Sequence, residues 1–60
     1  MNIEAKYWLE EFPSVVEAFT HSTKESKEDI ASDLALIAGD FSDMSDDEVL
    51  ATYINEKLGA

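Results

Sequence analysis

Sixty residues carry fourteen carboxylates against four lysines and no arginine, a formal net charge of −10 at pH 7. Such a surplus repels nucleic acid and anionic membranes and draws in basic surfaces. The length allows one acidic domain over residues 1–60 with a thin core; the lack of cysteine excludes disulfides and thiolate metal sites, and no apolar run approaches the ~18 residues of a membrane span.

The N-terminus, Met1-Asn2-Ile3-Glu4, lacks the basic and long apolar regions of a secretory signal. The expectation is a complete small protein of a microbe or virus, located in the cytoplasm of a microbe or of an infected host cell. Apolar residues make up 45% of the chain, with one Trp, two Tyr and three Phe. That is enough to build a small core and argues against disorder despite the acidity.

The first third reads as helix. Ala5, Trp8, Leu9 and Phe12 follow the i, i+3, i+4, i+7 spacing of an amphipathic helix. Pro13 ends it, because its ring clashes with the carbonyl of Leu9. The same proline suits the first position of a short second helix over Ser14 to Thr20, with Val15, Val16 and Phe19 as its buried side. A strand there has no partner strand.

The middle helix has two candidate starts, a box at Ser22-Thr23-Lys24-Glu25 and a rival cap at Ser26. Ile30, Ala31, Leu34, Ala35, Ile37 and Ala38 share one side at helical spacing, and Gly39 is expected to end the run. Leu36 points away from that stripe, beside Asp29 and Ser32. The connector Asp40-Phe41-Ser42-Asp43-Met44 is polar and anchored by its two apolar residues.

The last third has the clearest local code. Ser45-Asp46-Asp47-Glu48 fits a capping box, and Met44 with Val49 has the spacing of a hydrophobic staple. Val49, Leu50, Tyr53, Ile54 and Leu58 form one face of a helix from about 46 to 58, stopped by Gly59. Lys57 falls inside that stripe, as a snorkelling cation that the helix C-terminus favours. The fold class is all-α: a small single-domain bundle of three main helices plus a short extra helix after Pro13.

Catalysis has little to work with. The one histidine, His21, precedes a helix start and reads as a solvated loop residue. No serine lies in a Gly-x-Ser-x-Gly elbow, and two glycines cannot build a phosphate cradle. The acids between Asp40 and Glu48 fail as a calcium loop in either register: from Asp40 the fifth and twelfth positions are Met44 and Ala51, and from Asp43 the glycine position is Glu48. Ala31-Ser32-Asp33-Leu34 reverses the order of an acyl-carrier attachment site and has no preceding glycine. The expectation is no enzyme, no cofactor and no metal.

Glu4, Glu25, Asp46, Asp47 and Glu48 fall in predicted first turns, where acids stabilise helices. Nine acids still face four lysines. Solubility explains an excess of charge in general; an electrostatic decoy explains it more sharply. A compact chain of this length spans about 27 Å, and duplex DNA of that length carries roughly 16 phosphates. In size and charge, though in no motif, the chain resembles the small anti-restriction and anti-CRISPR proteins of phages and mobile elements.

The expected function is therefore a DNA-mimic-like inhibitor or regulator that occludes a basic surface on a nucleic-acid-processing protein, without binding nucleic acid or membrane itself. Two patches are candidates for contact. In one, Glu4, Glu10 and Glu11 surround an exposed Tyr7, since tyrosine supplies contact area and carboxylates supply steering. The other is the rim of Asp40, Asp43, Asp46 and Asp47. The alternative is a helical assembly module, a possible homodimer joined through Ile3, Leu36 and Lys57, whose acidity only maintains solubility.

Overall fold

A computed structural model describes residues 4–41 and 43–59. Those residues form four α-helices in chain order, with no strand among them: α1 (Ala5–Glu11), α2 (Pro13–Thr23), α3 (Lys27–Asp40) and α4 (Asp46–Tyr53), which runs into a π-helical turn over Ile54–Leu58. The radius of gyration is 10.2 Å and the principal extents are 28 × 24 × 15 Å. The longest dimension thus matches the span expected from length, while the body is flattened in one direction.

Pro13 divides α1 from α2 as its chemistry requires. Phe12 leaves helical geometry at φ −130°, and Pro13 takes the first position of α2, where its missing N–H costs no hydrogen bond. The short helix is α1, with seven residues, whereas the helix that begins at Pro13 runs for eleven. Pro13 cuts α1 short and nucleates α2.

The α2–α3 turn uses Ser26, not Ser22. Helix α2 continues through Thr23 and closes on Lys24, whose φ of 67° puts it in the left-handed region and whose N–H donates to the Thr20 carbonyl at 2.9 Å. The Thr23 hydroxyl donates to the Phe19 carbonyl at 2.9 Å and accepts the Glu25 N–H at 3.2 Å. Ser26 then caps α3, its hydroxyl accepting the Asp29 N–H at 3.1 Å. Glu25 consequently lies ahead of the helix, and Glu28 and Asp29 occupy the first turn. His21 sits in the last turn of α2, not in a loop.

Helix α3 is the centre of the packing and contacts α1, α2 and α4. Ile30, Ala31, Leu34, Ala35, Ile37 and Ala38 are all buried, the stripe that the spacing predicts. Gly39 does not end the helix, which continues to Asp40 and is capped at Phe41. A glycine one residue from the end costs little helix stability and is not forced into a left-handed cap. Around α3 the core closes with Trp8, Val16, Phe19, Val49 and Tyr53. Trp8 stacks on Phe12 with ring centres 5.3 Å apart, and Phe19 lies 4.7 Å from Tyr53, the separations at which aromatic pairs attract.

Helix α4 carries the capping box its sequence spells. The Ser45 hydroxyl accepts the Glu48 N–H at 3.3 Å, and the Glu48 carboxylate accepts the Ser45 N–H at 2.9 Å. Of the connector's two apolar residues only Met44 packs on the core; Phe41 is exposed. The helical stretch ends at Gly59 with φ 71°, a left-handed stop that glycine adopts without steric cost. Tyr53 is buried with no hydrogen bond to its hydroxyl among protein groups. Burial raises its pKa, and the nearby Thr23 hydroxyl, already engaged twice, only partly opposes that.

Candidate binding surface

Carboxylates occur on all four helices. The asymmetry lies in the cations. Lys24, Lys27 and Lys57, together with His21, gather around the α2–α3 turn. Lys27 bonds Glu17 at 2.9 Å, and His21 lies 3.9 Å from the same carboxylate. Lys57 reaches Asp33 at 3.4 Å and Glu25 at 3.9 Å. The Lys27 hydrogen bond and charge hold Glu17 below the usual carboxylate range, and Glu17 raises Lys27 in return. Lys57 is raised chiefly by the charge of Asp33 and its hydrogen bond, with Glu25 adding to it.

The α3–α4 junction is built differently. Asp40, Asp43, Asp46, Asp47 and Glu48 fall within nine residues that contain no lysine, and none of them forms an ion pair among the described residues. Asp46, Asp47 and Glu48 occupy the first turn of α4, where the helix dipole favours negative charge. Asp40 is the reverse case. It is the last residue of α3, whose final turn contains no basic residue, so its charge meets the negative end of the helix. Asp43 is exposed and belongs to no helix. Asp40 thus gains no helix stability from its charge, and Asp43 lies in no helix's first turn.

Tyr7 is half-buried rather than exposed. Its ring meets Trp8 and Phe12 edge-on, with centres 5.3 and 6.2 Å apart, and its hydroxyl donates to the carboxylate of Asp46. The two patches suggested by the sequence therefore share one contact: Tyr7 ties α1 to the start of α4. Glu4, Glu10 and Glu11 are exposed on α1 or at its cap, and Glu10 faces Lys6 at 4.0 Å. Tyr7 covers the end of the core and leaves its edge to the acidic rim. Nothing in the local spacing announces the link to Asp46, because the two residues are 39 positions apart.

The residues suggested for self-association separate. Ile3 lies outside the described residues. Lys57 is engaged within the chain by Asp33 and Glu25, which the apolar stripe around it does not disclose. Leu36 is 64% exposed, the most exposed of the large hydrophobic residues described. It stands between two shallow clefts, one floored by Ala5, Ser32, Ala35 and Gly39, the other bordered by Asp33, Glu56 and Lys57; Asp40 lines both.

Among the described residues, no three His, Asp or Glu side chains converge as a metal ion needs, and no helix is long and apolar enough to cross a membrane. Comparison with protein-family models, curated proteins and solved structures finds no match.

Proposed function

We propose that this chain is a small acidic protein that binds and occludes a basic surface on another protein, of the kind that handles nucleic acid. The carrying observation is the α3–α4 junction, where five carboxylates stand without a paired lysine among the described residues, Asp40 at the unfavourable end of α3 and Asp43 outside any helix. Unpaired exposed carboxylates keep their full charge available to a partner's lysines and arginines, which speeds encounter and sets orientation. Tyr7, with its ring on the core and its hydroxyl on Asp46, stiffens that edge and contributes an aromatic margin. Inhibition by occupying cationic sites meant for phosphates, in the manner of a DNA mimic, accords with this charge and the 28 Å long axis. On this reading the protein acts in the cytoplasm, with its target.

The test is capture from host lysate on immobilised protein at low and high salt, with duplex DNA as competitor. The expected outcome is a cationic partner released by salt and displaced by DNA. The triple variant Asp40→Asn/Asp43→Asn/Asp47→Asn, which leaves the Tyr7–Asp46 bond in place, is expected to lose that partner. Retention by the triple variant, or binding of the protein itself to DNA at moderate salt, sinks the reading.

A further inference from the structure

Leu36 and Leu34 lie two residues apart on α3, yet Leu34 is fully buried and Leu36 is 64% exposed. A leucine this open in the middle of a central helix is not part of the core. The surface beside it is low, because Ala5, Ser32, Ala35 and Gly39 line the adjoining cleft of about 480 Å³. Small side chains let a second helix approach closely, and one projecting leucine gives it a ridge to straddle. The rim is acidic. Asp33 is held by Lys57, but Asp40 and Glu56 form no ion pair among the described residues. Asp40 also begins the acidic junction, so the apolar ridge and the anionic edge are continuous.

We propose that this Leu36 face docks a cationic amphipathic helix of the partner, its apolar side chains seated on either side of Leu36 and its flanking Lys or Arg residues on Asp40 and Glu56. The inference rests on the partner being basic, as proposed above. A second copy of the chain does not suit the site. A second copy would bring the same acidic rim, whose one cation, Lys57, is already engaged by Asp33 and Glu25. A standard interface also needs about 800 Å² per partner, roughly a fifth of the total surface of 3722 Å². Among the described residues Leu36 is the one exposed large hydrophobic side chain that lines the two clefts. One ridge between clefts matches the helix-in-groove mode, read as apolar anchors at i, i+3, i+4 and i+7.

The probe is a synthetic peptide of about 18 residues, long enough to form a helix, with leucines at that spacing and lysines flanking them. A scrambled peptide of the same composition is the control. Backbone amide shifts and titrations are recorded for the full chain and for Leu36→Ala, Glu56→Gln and Asp43→Asn/Asp47→Asn. The expected result is a shift pattern centred on Ala5, Ser32, Leu36 and Gly39, with affinity about tenfold weaker in Leu36→Ala, the loss typical of a central contact residue. Glu56→Gln weakens binding and flattens its salt dependence. Leu36 is exposed, so its truncation leaves the fold intact, which the unperturbed spectrum of the free variant checks. Equal binding of the scrambled peptide overturns the proposal, as does self-association that Leu36→Ala abolishes. Shifts confined to 40–48 with Leu36→Ala neutral overturn it while leaving the acidic-edge reading standing. Sensitivity to Leu36→Ala and Glu56→Gln with indifference to Asp43→Asn/Asp47→Asn upholds the docking face, and the lysate capture with the triple variant tests the acidic edge separately.

Discussion

The two ends of α3 carry the same kind of side chain and use it in opposite ways. Around its start, Glu17, Glu25 and Asp33 are occupied by Lys27 and Lys57, and the charges serve to tie α2, α3 and the final turn together. Around its finish, Asp40 and the acids just beyond it meet no lysine among the described residues. The difference comes from where a few cations sit, since acids are plentiful throughout. In a chain this anionic, counting carboxylates says little about a binding surface; the stretch from which lysine is missing says more.

The contrast between the two ends is sharpened most by Tyr7→Phe. The substitution removes the hydroxyl that anchors Asp46 while keeping the ring against Trp8 and Phe12. A partly buried hydrogen bond to a charged group is worth about 1–2 kcal/mol, so thermal unfolding is expected several degrees lower. The freed Asp46 then resembles Asp43. A melting temperature equal to that of the parent would mean that the acidic edge is not held by the core.

At the opposite end, Lys24→Gly is expected to stabilise. Lys24 is the one non-glycine described residue with positive φ, at 67°, and relief of that strain gains about 0.5–1 kcal/mol net of glycine's greater freedom when unfolded. Lys24 takes part in no ion pair among the described residues, so no bridge is lost. A destabilised variant would show that the charge of Lys24, and not only that of Lys27 and Lys57, matters to this end.

The smallest effect is the cation end's share of the pH dependence, beside the alkaline loss that Tyr53, raised by burial, adds in the same direction. Lys27 and Lys57 are raised above the ordinary value of 10.5, so their contribution is complete below that pH and is lost as pH climbs through the higher folded values. Glu17 is lowered from 4.5; its contribution is complete above that value and is lost as pH falls through the lower one. Melting curves should therefore decline at the alkaline extreme, and Lys57→Gln should remove part of that slope. Lys27, Lys57 and Glu17 are exposed, and their shifts in melting temperature are correspondingly slight. An alkaline slope unchanged by Lys57→Gln would show that the bridge to Asp33 contributes nothing.

Much of the fold is legible from local chemistry. The α3 stripe from Ile30 to Ala38, the α4 capping box, the break at Pro13 and the stop at Gly59 each depend on residues within one or two turns of each other. The signals that mislead are also local. Gly39 resembles a helix stop but lies one residue inside the end, and Ser22 resembles a cap but belongs to the last turns of α2. In both cases neighbouring backbone bonds, to the capping residue Phe41 and to Lys24, extend a helix past a residue that only permits an ending.

The candidate surface divides along the same line. Sequence alone determined the charge, the all-helical class, the acids of residues 40–48 and the outward direction of Leu36, because periodicity and composition act at short range. Tertiary structure decided that Tyr7 reaches Asp46, that Lys57 reaches Asp33 and Glu25, and that Ala5 from α1 completes the cleft beside Leu36. Those pairings depend on how whole helices cross around Trp8 and Tyr53, and the packing of a shared core sets that crossing without leaving a mark in the spacing of any one helix.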